Sequence, residues 1–124
     1  MELKRESLNE FRNSVMALSK ASLPLPVAIR LSKVTEFANR EFKLLDDTRS
    51  KRVRELGTKI MENGEEIFRV LPGSPELAQY VKEMEVVLSE TVSMDFEPIQ
   101  VGELANVSLS ALDAGVLLRF GVIA

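Results

Sequence analysis

From Val27 to Leu56 the chain runs about 30 residues with neither glycine nor proline, bounded by Pro26 on one side and Gly57 on the other. Uninterrupted segments of this kind are helical when their apolar residues recur at three- and four-residue spacing. Val27, Leu31, Val34, Phe37 and Ala38, followed by Leu44 and Leu45, have that spacing. A helix of this length extends roughly 45 Å. A compact domain of 124 residues has a radius of gyration of only about 14 Å. The helix must therefore project, bend or meet a partner, and this favours binding over catalysis.

The apolar stripe stops at Leu45. Asp46 to Arg52 contains no apolar residue before Val53 and Leu56 resume. Helix is expected to persist there on propensity and on Lys43–Asp47, Asp47–Lys51 and Lys51–Glu55 pairs, each worth a few tenths of a kcal/mol. That segment is expected to be exposed all round or to mark a bend. Gly57 is expected as a left-handed C-terminal cap.

Ahead of the long helix, Ser7-Leu8-Asn9-Glu10 fits a capping box. Leu8, Phe11, Val15 and Leu18 then line one face of a helix that runs to about Lys20. The Leu23-Pro24-Leu25-Pro26 break should hold Leu23 and Leu25 extended. Two antiparallel helices over residues 7–57 follow from this pattern.

Asn63-Gly64 between Thr58–Glu62 and Glu65–Val70 is a strong hairpin signal. Ser74 and Pro75 open a further helix, with Leu77, Tyr80, Val81, Met84, Val87 and Leu88 as its apolar face. Val92, Met94 and Phe96 alternate with polar residues and read as a strand that Pro98 ends. Added to the hairpin, it would complete a three-stranded antiparallel sheet. Ser110 to Asp113 can cap a short helix carrying Leu112, Val116, Leu117 and Phe120. The apolar run Val122-Ile123-Ala124 needs something to pack on. The expected fold is α+β, a single domain over 1–124, with the helical hairpin over 7–57. The β-hairpin, helix, strand and short C-terminal helix occupy 58–124.

Composition narrows the chemistry. Cysteine and histidine are both absent, which removes disulfides, thiolate ligands and the commonest general base and metal ligand. No phosphate-binding glycine motif occurs. Adjacent acidic pairs, Asp46-Asp47 and Glu65-Glu66, point in different directions on a helix or strand. No catalytic residue, cofactor or metal site is expected, and the chain reads as a non-enzyme. No apolar run approaches the ~20 residues that cross a bilayer, and no apolar segment follows the charged start as in a signal peptide. An intracellular protein without membrane contact is expected.

Net charge is −3 but unevenly spread. Residues 1–60 hold 13 Lys and Arg against 8 Asp and Glu, and residues 61–124 hold 3 against 11. Arg49, Lys51, Arg52 and Arg54 form the densest basic run. They fan around the helix axis rather than forming a stripe, and the nearest aromatic, Phe42, lies two turns away. Nucleic-acid binding has little to stand on, whereas compensation of the helix dipole or contact with an acidic protein does. The candidate interaction residues are therefore Arg49, Lys51, Arg52 and Arg54 together with Phe120, Val122 and Ile123.

The order of these segments is itself informative. A capped helix ending in Leu18-Ser19-Lys20 leads to Leu23-Pro24-Leu25-Pro26-Val27-Ala28-Ile29-Arg30-Leu31-Ser32-Lys33 and a long charged helix. A hairpin, a helix from Glu76-Leu77 to Val87-Leu88, an acidic strand and a short Leu-rich helix follow. This order resembles a family of small tailed-bacteriophage and prophage proteins of unknown function, from which the doubled Leu-Pro pair and the Gly121-Val122-Ile123-Ala124 end depart. With that resemblance, the overlong helix, the charge polarity and the apolar tail lead to the expectation of a non-enzymatic phage protein working through protein–protein contacts, a minor virion or assembly component or an accessory to one. Self-association, and a location in the host cytoplasm or the virion, go with it. The acidic half from Glu62 to Asp113 supports an alternative, a small inhibitor of a host enzyme or defence complex.

Overall fold

The computed structural model describes all residues from Met1 to Ala124. In chain order these form β1 (Glu2–Lys4), a 3-10 turn (Arg5–Ser7), α1 (Leu8–Ser19) and α2 (Leu25–Leu56). They continue as β2 (Thr58–Glu62), β3 (Glu65–Arg69), α3 (Pro75–Ser89) and β4 (Thr91–Ser93). A second 3-10 turn (Val101–Leu104) and α4 (Ala111–Arg119) complete the chain. The architecture is α+β, four helices with two small antiparallel sheets.

The core lies at one end of the molecule, where α1 packs between the first half of α2 and α4. Phe11 of α1 is fully buried at its centre. Its ring meets Phe37 edge-on at 6.5 Å between centroids and Phe120 at 5.7 Å, the arrangement aromatic quadrupoles prefer. Val27, Leu31, Val34, Phe37, Ala38 and Leu45 face this core from α2, as their spacing predicts. Leu44 does not. It is 55% exposed, because one helical step from Leu45 rotates it about 100° away from the core.

α2 is one unbroken helix of 32 residues. It starts at Leu25 rather than after it, with Pro24 extended as the cap and Pro26 inside the first turn. A proline there loses no helical hydrogen bond. The capping box expected at Ser7 and Glu10 does not form. Ser7 closes a 3-10 turn in helical conformation (φ −93°, ψ −2°) and makes no side-chain cap bond, because a capping side chain reaches the first-turn amides from an extended backbone, which Ser7 does not adopt.

Gly57 ends α2 for a different reason from the one expected. Its backbone is extended (φ −84°, ψ 164°), not left-handed. A Cβ there would lie 2.3 Å from the Val53 carbonyl oxygen and 3.1 Å from the Arg69 carbonyl. Close approach of two backbones, rather than a positive φ, excludes a side chain. Asn63 and Gly64 do take positive φ, 52° and 79°, the two-residue turn that matches the twist of β2 and β3.

The strand after α3 does not join that hairpin. β4 pairs with β1, Leu3 opposite Val92, and the hairpin stays a separate two-stranded sheet. The 15 residues of α3 separate the two strand segments by about 22 Å along its axis. β4 therefore emerges beside the core, where the first residues of the chain offer an edge. There Leu3 and Val92 are buried together.

Candidate functional site

From Asp46 to Glu83 no residue is buried. This stretch comprises the last third of α2, the β2–β3 hairpin and the first half of α3, and it forms an arm without a core of its own. α3 runs back along α2 in the opposite direction: Glu83, Met84 and Val87 line one small groove with Thr48, Lys51, Arg52 and Glu55. The Ser74 hydroxyl caps α3 by accepting from the Leu77 amide at 3.1 Å, as its sequence predicts. Of the apolar face expected on α3 only Met84 is buried, and Val81 is 46% exposed. On the hairpin, Ile60 and Ile67 are half-buried on one face. Met61 and Phe68 stand 64% and 41% exposed on the other.

The basic run Arg49, Lys51, Arg52 and Arg54 is divided by this packing. Arg52 is consumed within the arm. Its guanidinium donates to Glu83 through Nε at 2.5 Å and Nη2 at 2.7 Å, and to Glu55 through Nη1 at 2.7 Å. These bonds raise the Arg52 pKa above its ordinary value, the Glu83 bond most. The Glu83 carboxyl is held below its ordinary value chiefly by the same bond, against an opposing effect of burial. Arg49 is half-buried, while Lys51 and Arg54 are exposed and make no ion pair. The expected Lys43–Asp47, Asp47–Lys51 and Lys51–Glu55 pairs are replaced by Arg52–Glu55 and Arg52–Glu83.

The C-terminal candidates belong to the core instead. Val122 is fully buried and Ile123 nearly so. The tail lies parallel to the segment around Ile99, whose amide donates to the Val122 carbonyl at 2.9 Å. The Ala124 amide returns a 2.9 Å bond to the Ile99 carbonyl. Phe120 is half-buried against Phe11, with the Arg119 guanidinium 4.6 Å from its ring centroid. The apolar end packs on its own chain, so Val122 and Ile123 are not available to a partner.

Two polar clusters were not visible in the sequence because their members lie far apart along it. Arg30 of α2 donates to both Glu103 carboxylate oxygens, at 3.1 and 3.2 Å, and to the carbonyls of Glu97 and Pro98. Glu103 also accepts from the Gln100 amide at 2.8 Å. That backbone bond, more than Arg30, keeps its carboxyl below the ordinary value. Ser14, the one buried polar residue, donates to Asp113 at 2.8 Å and ties α1 to the first turn of α4. Both clusters fasten elements together, and their donors and acceptors are already matched.

Between α1 and the start of α2 lies an open groove of about 550 Å³ lined by residues including Leu23, Ala28, Glu36 and Asn39. The Ser32 and Thr35 hydroxyls along it donate to carbonyls of their own helix, which leaves no donor set converging on a ligand. No three acidic side chains converge as a metal site, and no helix is long and apolar enough to cross a membrane. Large apolar side chains stand exposed off the arm (Leu25, Ile29, Leu44, Val86, Val101, Leu112 and Leu118) as well as on it (Met61, Phe68, Leu71 and Val81). What sets the arm apart is a run of 38 residues, 46–83, with none buried. Comparison with protein-family models, curated proteins and solved structures returns no match.

Proposed function

We propose that the chain is a non-enzymatic interaction protein that docks onto a protein partner through its distal arm. The carrying observation is that no residue from Asp46 to Glu83 is fully buried while Met61, Phe68, Leu71 and Val81 stand exposed there. Exposed apolar side chains grouped on a projecting element and rimmed by charge are characteristic of protein contact. Lys51, Arg54, Glu65, Glu66 and Glu76 add exposed charge of both signs along the arm. Together with the resemblance of the segment order to small tailed-phage proteins, this supports a minor virion or assembly component, or an accessory to one, in the host cytoplasm or the particle.

The test compares immobilised wild-type protein with a variant carrying Met61→Ser, Phe68→Ser and Leu71→Ser. Both are exposed to a lysate of phage-infected cells and to disassembled particles. A protein retained by the wild type and lost by the variant is expected. Equal retention by both, or retention of nothing, would remove the arm as the docking surface.

A further inference from the structure

The hairpin at the tip of the arm carries an unpaired strand edge whose residue order is complementary to itself. We infer that two copies of this chain associate through antiparallel pairing of β3 with β3 about a two-fold axis at Ile67, forming a four-stranded sheet. This rests on the reading of the arm as a docking surface and names a second copy as one occupant.

The backbone sets the register. In a hairpin with a two-residue loop the flanking pair, here Glu62 and Glu65, exchanges both ladder bonds, and alternate pairs follow suit. Ile60–Ile67 and Thr58–Arg69 then bond inward, and the N–H and C=O groups of Glu66 and Phe68 point outward from β3. Nothing in the chain bonds to them. A two-fold at Ile67 sets Glu66 opposite the partner's Phe68, so that these outward groups exchange hydrogen bonds.

The side chains agree with that register. It places Glu65 opposite the partner's Arg69, twice across the axis, in the close non-hydrogen-bonded position. Glu65 has no ion pair within its own chain. There it faces Glu62, a like charge, and Lys59 pairs with Glu66. Arg69 bonds Glu62 through Nη2 alone, which leaves its Nε and Nη1 for the partner's Glu65. Pairing through β2 instead would oppose Thr58 to Glu62 and Lys59 to Met61, with no charge match. The β3 arrangement also brings Phe68 and Met61 of both copies onto one face of the sheet. A lone two-stranded hairpin is marginal in water, and more strands with an apolar face are what it lacks.

Sedimentation equilibrium of the purified chain across a concentration series should show a monomer–dimer equilibrium. Glu66→Pro removes an outward amide that the hairpin does not use, and should leave a monomer with an unchanged circular dichroism spectrum. Glu65→Arg relieves the repulsion from Glu62 within the chain, yet should weaken the dimer about tenfold by opposing like charges across the axis. Adding Arg69→Glu should restore it. Since the chain has no cysteine, Ile67→Cys provides a direct readout. Paired Cα atoms there lie about 4.5 Å apart, within disulfide range, so oxidation should link the copies. Met61→Cys, on strands separated by about 14 Å, should not link them. A wild type that stays monomeric, or a dimer indifferent to Glu66→Pro, overturns the pairing. A monomer that still retains a partner through Met61, Phe68 and Leu71 leaves the docking reading standing. A β3 dimer that retains nothing else overturns docking and keeps the pairing.

Discussion

Arg52 and Glu83, on helices that run in opposite directions, meet through two parallel hydrogen bonds of 2.5 and 2.7 Å. The pair is the main polar fastening between α2 and α3, in a region where only Met84 is buried. A bidentate contact fixes direction as well as distance. Its loss should therefore loosen the arm without disturbing the core. Arg52→Ala is expected to speed amide exchange across α3 and the hairpin severalfold while α1 and α4 keep their protection, read by hydrogen-exchange mass spectrometry. The reversed pair Arg52→Glu with Glu83→Arg should recover part of the protection.

Acid should act on the same contact. Glu83 and Glu103 both sit below the ordinary carboxyl value of 4.5. In acid the unfolded chain therefore binds protons that the folded chain does not. Their contribution to stability is complete above about pH 4.5 and disappears as the pH falls through the lower folded values. Urea midpoints measured from neutral pH to about pH 3 should be level and then decline. The variant with Glu83→Gln and Glu103→Gln should have a shallower acid limb.

Core and arm should respond very differently to truncation. Phe11 is completely buried between two aromatic rings, and Phe11→Ala should cost about 3–5 kcal/mol of unfolding free energy. Met61→Ser, at a position 64% exposed, should stay within about 0.5 kcal/mol. Chemical denaturation of the two variants checks both values.

The apolar end of the chain offers a sharper contrast. Ile123 is 5% exposed and Leu112 is 76% exposed, although both are large aliphatic residues near the end of the sequence. Ile123→Ala should cost about 2–5 kcal/mol, whereas Leu112→Ala should change stability by less than about 0.5 kcal/mol. Equal effects would mean that the tail does not pack beside Ile99.

Two glycines should move stability in opposite directions. Gly57→Ala drives a methyl group against the Val53 carbonyl oxygen and should destabilise the chain by about 1–3 kcal/mol. Gly115 lies inside α4 with open space where a Cβ would go. Gly115→Ala should stabilise by about 0.4–1 kcal/mol, because alanine leaves the unfolded chain less freedom. Thermal and urea melts of the two variants should bracket the wild type.

Features that depend on neighbours a few residues apart are legible in the chain without its fold. The apolar spacing through Leu45 marks the face of α2 that packs, Asn63-Gly64 the hairpin turn, and Ser74 and Ser110 the starts of α3 and α4. Each depends on local backbone geometry or helical period, so a short window suffices. Tertiary structure decided what depends on which distant segments meet. β4 pairs with β1 rather than with the hairpin because α3 separates the two strand segments. Arg52 leaves the basic run because α3 carries Glu83 back to it, 31 residues later. Val122 and Ile123 are core residues because Ile99 presents backbone that only the tail reaches. An apolar run has the same composition whether a partner covers it or its own chain does, and only the path of the chain separates those cases. That path encloses the C-terminal tail and leaves the arm from Asp46 to Glu83 uncovered.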